Sequence, residues 1–91
     1  MFFVYLLKSL KDESLYIGLT NDLERRLAEH SSGLPGYTNK HKPFKLVYYE
    51  SYLNETDAKE REFQLKGFSN AYIQLKARIK RCLGDKPVLS R

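Results

Sequence analysis

The sequence predicts an α+β fold, a small mixed α/β domain whose mostly antiparallel sheet is covered by helices, and three observations carry that expectation. Short runs rich in aromatic or β-branched residues at 2 to 8, 15 to 20 and 44 to 52 read as strands. Apolar residues at three- and four-residue spacing follow the second and third of these runs and read as helices. The resulting order of strand, strand, helix, strand, helix, helix offers too few strands for a doubly wound parallel sheet. A chain of 91 residues makes one domain with a modest core.

The first two runs are separated by Ser9-Leu10-Lys11-Asp12-Glu13-Ser14, which predicts a hairpin with a longer loop. In the second run Tyr16, Gly18 and Thr20 share one face, and Leu15, Ile17 and Leu19 the other. Asn21 followed by Glu24 has the spacing of a capping box, with Asn21 as the N-cap of a helix ending near Ser32-Gly33. A polar connection from Ser31 to Pro43 leads into the third strand, where the neighbours Val47, Tyr48 and Tyr49 predict burial on both faces. Asn54 with Asp57 marks the second helix start, and Gly67 is expected to close that helix in a left-handed conformation. The third helix starts near Ser69 and runs its stripe through Tyr72, Leu75, Ile79, Cys82 and Leu83 until Gly84 and Pro87 end it. The domain is therefore drawn at 1–83, with a tail at 84–91.

Composition narrows the partners. A formal net charge of +5 favours polyanions, and DNA is the expected one, with RNA left open. The apolar run from Met1 to Leu7 is too short to span a bilayer and has neither a basic leader nor a small-residue cleavage site, so a cytoplasmic protein is expected. The single cysteine, Cys82, excludes an internal disulfide and is expected in the core. Its isolation, with no His-x-x-x-His spacing, argues against structural zinc. The glycines stand apart from one another, which leaves no phosphate-cradling loop for a nucleotide cofactor.

Three charged or polar residues interrupt the apolar stripes of the predicted helices. Arg26 and His30 lie four apart on the face of Leu23 and Leu27, and Glu62 falls between Ala58 and Leu65. An unpaired buried charge costs several kcal/mol, so such residues either pair with one another or line a cleft. Arg25 is a control: one residue further round the helix, it turns about 100° away from that stripe and belongs to solvent or to backbone phosphates. For Glu62 the alternatives are a helix ion pair with Lys66 or Lys59, and for Arg26 a buried bridge to Glu62.

The aromatic-apolar-Tyr run Phe3-Val4-Tyr5, then Tyr16-Ile17-Gly18, then Arg26 eight residues past that glycine, His30 four further on and finally Glu62 resemble the GIY-YIG nuclease family, in particular its short stand-alone bacterial members. The resemblance covers roughly residues 1 to 80 and departs from the family pattern at Phe3-Val4, where Gly-Ile is expected. It implies a three-stranded antiparallel sheet flanked by three helices, and a metal-dependent endonuclease with Tyr5, Tyr16, Arg26, His30 and Glu62 as catalytic residues. Glu62 would hold one Mg²⁺ or Mn²⁺, Arg26 would grip the scissile phosphate, and Tyr16, beside Tyr5, would orient or deprotonate the attacking water. His30 would relay a proton or contact the phosphate. Lys40, Lys42, Lys45, Lys66 and Asn70 are the expected further nucleic-acid contacts, whereas Lys76, Arg78, Lys80 and Arg81, spread around the third helix, are expected to keep it soluble, with steeply salt-dependent binding if several engage DNA. Two other readings remain at this point: a binding module that keeps the scaffold without useful catalysis, and a dimeric protein-interaction domain. With no room for an appended DNA-binding domain, specificity would come from this surface or from a protein partner.

Overall fold

The first strand is central. In a computed structural model that describes residues 1–32, 42–67 and 69–84, β1 (Phe2–Ser9) is flanked by β2 (Leu15–Thr20) and β3 (Phe44–Tyr52), antiparallel on both sides in the order β2-β1-β3. The helices are α1 (Leu23–Ser31), α2 (Glu55–Lys66) and α3 (Asn70–Arg78). This is the α+β arrangement predicted, a three-stranded antiparallel sheet with three helices.

The central strand has a buried residue at each position from Val4 to Leu7, so both faces of the sheet are covered. On one face Val4, Leu6 and Ile17 join Ala58 and Leu65 of α2, Tyr72 and Leu75 of α3, and Ile79 in a single apolar core. Strand periodicity sends Tyr5, Leu7, Tyr16 and Gly18 to the opposite face, the one that α1 covers with His30. The sheet thus separates a hydrophobic layer from a polar one. A register shift between Leu6 and Leu7 accommodates the pairing of β1 with β3.

The helix starts follow the local chemistry with one correction. Asn54 caps α2 by accepting from the Asp57 amide at 3.2 Å, as expected. The cap of α1 is Asp22, which accepts from the Arg25 amide at 3.1 Å, and not Asn21. Two adjacent residues of good capping chemistry compete here, and Thr20 decides between them: its hydroxyl accepts from the Asp22 amide at 3.1 Å and fixes Asp22 in extended backbone. Gly67 is not left-handed (φ −86°), so α2 ends without the expected αL residue. The α-helix of α3 stops at Arg78, and hydrogen-bonded turns follow to Gly84, the left-handed residue of this segment at φ +102°. Extrapolating the helical stripe past that break misplaces Cys82, which is exposed, while Leu83 still packs against the core. Tyr49 is exposed as well, so β3, an edge strand, is not buried on both faces as expected. Lys40, Pro87, most of the 31–43 connection and all but Gly84 of the expected tail lie outside the described residues. No described helix is long and apolar enough to cross a membrane.

Candidate active site

The site is built around Tyr5. In the middle of the central strand it pairs with Gly18 on one side and Tyr49 on the other, and it is 0% exposed. Its ring lies directly over Gly18: a Cβ at that position would sit 2.4 Å from both Cζ and the hydroxyl oxygen of Tyr5. The glycine of the Tyr-Ile-Gly run is therefore a steric requirement, because any side chain there expels Tyr5 from its place.

Helix α1 delivers its polar stripe onto this ring. His30, 1% exposed, places Nε2 2.8 Å from the Tyr5 hydroxyl. One turn earlier, Nε of Arg26 donates to the same oxygen at 3.4 Å, and Nη1 donates to Glu29 at 2.9 Å. Tyr16 completes the group from β2, with its ring centroid 5.1 Å from that of His30 and 6.3 Å from that of Tyr5. Phe44 closes the far side of the His30 ring at 6.1 Å. Arg25 is exposed, as its offset of about 100° from Arg26 around the helix requires.

Burial sets the protonation states. Removal from water pushes the Tyr5 phenol up to about 12, against the opposing pull of the Arg26 hydrogen bond. Burial also holds the His30 imidazole below its ordinary range, reinforced by the Arg26 charge and resisted by Glu29. The hydrogen bonds to Glu29 and then to Tyr5 keep Arg26 charged under all ordinary conditions. At neutral pH the centre is therefore a neutral phenol, a neutral imidazole and a fixed guanidinium. Nδ1 of His30 is buried and has no hydrogen-bond partner among the described residues.

Four of the five expected residues are thus in mutual contact. Glu62 stands beside them rather than among them. Its side chain is 21% exposed, its ion pair is with Lys66 at 2.9 Å, and its charge still reaches Tyr5, whose ionisation it opposes. Lys66 in turn lines, with Tyr16, a cavity of about 200 Å³ at the edge of β2. Neither the Arg26–Glu62 bridge nor a Glu62–Lys59 pair forms: Arg26 pairs with Glu29, and Lys59 with Glu55. Glu60 is exposed on the other side of α2.

The remaining expected contacts are scattered. Lys42 and Lys45 are exposed, and because Phe44 faces His30, alternation turns Lys45 to the other face of the sheet. Asn70 is exposed in the first turn of α3. Lys40 is outside the described residues. Sequence reasoning overlooked Glu29 and Phe44 as supports of the centre. It also overlooked a second polar cluster, in which Glu50 takes hydrogen bonds from Tyr48, Tyr52 and both ends of the Arg61 guanidinium.

A carboxylate alone tests whether a cation fits. No group of three or more His, Cys, Asp or Glu side chains converges among the described residues, which excludes from them a closed cage of the zinc type. One largely buried carboxylate suits Mg²⁺ or Mn²⁺, hard cations that retain water and take one or two carboxylates together with substrate phosphate oxygens.

A buried tyrosine over a strand glycine is gripped by an arginine and a histidine from the following helix, and the chain that builds this cluster belongs to the GIY-YIG family: the GIY-YIG catalytic domain model matches residues 1–78. Within it the chain is similar to the UPF0213 proteins. One from Clostridium perfringens is 46% identical over 77 residues, 82% of this chain and 82% of the relative. One from Staphylococcus haemolyticus is 41% identical over 68 residues, covering 74% and 82%. The solution NMR structure of the UPF0213 protein BH0048 from Bacillus halodurans superposes with a TM-score of 0.54 at 29% identity, over 99% of this chain and 100% of that one. Membership supports a nuclease-type activity on nucleic acid, in a family that generally uses divalent metals.

Proposed function

We propose that this domain is a metal-dependent endonuclease that hydrolyses DNA phosphodiester bonds, with Tyr5, Tyr16, Arg26, His30 and Glu62 as its catalytic residues. The observation that carries the reading is the buried Tyr5 hydroxyl shared between Arg26 and His30 beside Tyr16. Arg26 is held by Glu29 and Tyr5 and interacts with Tyr16 as well, which fixes the plane of the guanidinium, and its five N–H donors exceed these partners, so that donors remain for the non-bridging phosphate oxygens. Because Arg26 donates to the phenol oxygen of Tyr5, the phenol proton is free to point at Nε2 of a neutral His30. Tyr5 then works as a hydrogen-bonding post that holds Arg26 and His30 in place, and Tyr16 is the group that orients the attacking water. Glu62 would hold one Mg²⁺ or Mn²⁺, which when bound supplies Lewis-acid stabilisation of the growing phosphoryl charge and a more acidic water. Lys66 pairs with Oε2 of Glu62, which leaves Oε1 as a ligand atom for the ion.

The substrate is most simply a structured DNA such as a repair or recombination intermediate, since a domain of this size selects by shape and charge rather than by an extended base-reading surface. A cytoplasmic setting, where exposed Cys82 stays reduced, suits the reading. The test is a cleavage panel of nicked, flapped, branched and single-stranded DNA with Mg²⁺ or Mn²⁺. Cleavage is expected to disappear with chelator and in Glu62→Ala, whose fold is retained. Unchanged cutting by Glu62→Ala removes the assignment. One observation favours a second reading, a nucleic-acid-binding module without catalysis: the Glu62 carboxylate is already engaged by Lys66 at 2.9 Å. Salt-sensitive binding with no ion-dependent cutting across the panel would select it.

A further inference from the structure

Apart from the candidate centre, a groove of about 570 Å³ lies between the β1–β2 hairpin and α3. Three lysines, Lys8, Lys76 and Lys80, line it against one carboxylate, Glu13. The acid neutralises little: Glu13 is largely exposed and stands 3.8 Å from Lys8. No described carboxylate pairs with Lys76 or Lys80. Like charges gathered in one concavity repel one another and focus a positive potential there, a cost that an anionic ligand would offset.

The groove is also constructed, in that two of its three lysines are held in place. Nζ of Lys8 donates to the Leu83 carbonyl at 2.5 Å. Gly84, at φ +102°, makes room for it, since a Cβ there would come within 2.9 Å of that nitrogen. The Lys76 ammonium sits 5.2 Å from the centroid of the Tyr72 ring. With that ring 9% exposed and its face taken by Lys76, Tyr72 serves as a platform for a cation and not for a nucleobase.

Position identifies the ligand. The groove and the smaller cavity beside Tyr16 share Leu15 and Tyr72 as walls, so Lys66 in the cavity and Lys8, Lys76 and Lys80 in the groove line two adjoining concavities, the first of which reaches Tyr16. We infer that the groove between the hairpin and α3 is a second polyanion site that holds the sugar-phosphate backbone of the nucleic acid strand flanking the bond at Tyr16. This rests on the nuclease reading of the centre and adds to it where the uncut strand runs. It also gives Lys76 and Lys80 a binding role that their spread around α3 had hidden. Recognition here is of phosphates, so it is insensitive to sequence and sensitive to salt.

The test is binding of a labelled single-stranded oligodeoxynucleotide to the whole chain in chelator, so that cleavage plays no part, followed by fluorescence anisotropy across a salt series. Lys76→Gln/Lys80→Gln is expected to lower affinity about tenfold and to reduce the slope of log affinity against log salt by about 0.7 for each phosphate no longer neutralised. Arg78→Gln, a cation of the same helix outside the groove, is expected to bind as the unaltered chain does. Unchanged affinity in the double lysine variant, or an equal loss in Arg78→Gln, overturns the proposal. Binding of polyglutamate as tight as that of DNA overturns the assignment to nucleic acid. The outcomes separate the two readings: lysine-dependent binding by a chain that cuts no DNA keeps the groove and removes the nuclease, whereas lysine-independent binding by a chain that cuts removes the groove alone.

Discussion

Two clusters of the same chemistry, tyrosines with an arginine and an acid, lie on opposite faces of one sheet, and they have opposite characters. On the α2 face, Glu50 receives Tyr48 at 2.6 Å, Tyr52 at 2.5 Å and Arg61 through Nε and Nη2 at 2.9 Å each. Burial pushes the Glu50 carboxyl up, but the hydrogen bonds from Arg61, Tyr48 and Tyr52 outweigh it and hold the group below its usual range. Each charge there has its counter-charge, so the cluster is a finished lock between β3 and α2. On the α1 face the groups are gathered but not finished. Nδ1 of His30 has no partner among the described residues and Arg26 has more donors than its partners use, while Glu62, reaching the cluster's edge from α2, pairs with a half-exposed lysine. Residue type alone therefore does not mark a site. Unspent hydrogen-bonding capacity held rigidly beside a cavity does.

The contrast is sharpened most by Gly18→Ala. The added methyl must displace the Tyr5 ring, and a misplacement of about 1 Å at a catalytic group costs on the order of a hundredfold in rate. Cleavage assays of the purified variant are expected to show that drop together with a stability decrease of about 1–3 kcal/mol from overpacking. Next in size is Glu50→Ala, which strands a three-quarters-buried Arg61. It is expected to cost about 2 kcal/mol by denaturant titration, less than for a fully buried pair, with cleavage per folded molecule preserved. A marked loss of cleavage in folded Glu50→Ala would break the distinction between the two faces.

The smallest effect is a difference in acid sensitivity. Folded His30 has its pKa held below the ordinary 6.5, so the unfolded chain takes up the proton first. Its contribution is full above about 6.5 and is lost as the pH falls below that value. Folded Glu50 is likewise held below its ordinary 4.5, so its contribution persists above that value and is lost as the pH falls further through the folded pKa. Stability measured against pH should therefore decline in two stages, with His30→Gln removing the upper one alone. A profile unchanged by His30→Gln would contradict the buried neutral imidazole.

Much of this was legible in the sequence because it follows from local periodicity. Alternation in residues 15–20 placed Tyr16 and Gly18 opposite Leu15, Ile17 and Leu19, and the helical angle separated Arg26 from Arg25. The family pattern then named the residues that meet on the α1 face. What stayed hidden depended on which element covers which face. Tyr48, Glu50 and Tyr52 are a visible period-two series, yet their partner Arg61 lies eleven residues beyond Glu50, across a helix whose docking the sequence does not state. Asp22 prevailed over Asn21 through a bond to Thr20, and Cys82 turned outward because regular helix stopped at Arg78. Lys76 and Lys80 looked like a solvated surface because the hairpin that completes their groove comes from the other end of the chain.

The central claim is that the Tyr5–Arg26–His30 cluster does chemistry and the Glu50–Arg61 cluster holds the fold, and a paired measurement tests it most directly. Ion-dependent DNA cleavage and the melting temperature are recorded for Arg26→Ala and Arg61→Ala side by side. Arg26→Ala is expected to lose cleavage by about a hundredfold to a thousandfold, the scale for removing one group that stabilises transition-state charge, while melting close to the unaltered protein. Arg61→Ala is expected to melt lower and still cut. Full cutting by Arg26→Ala, or loss of cutting in a folded Arg61→Ala, would contradict the account.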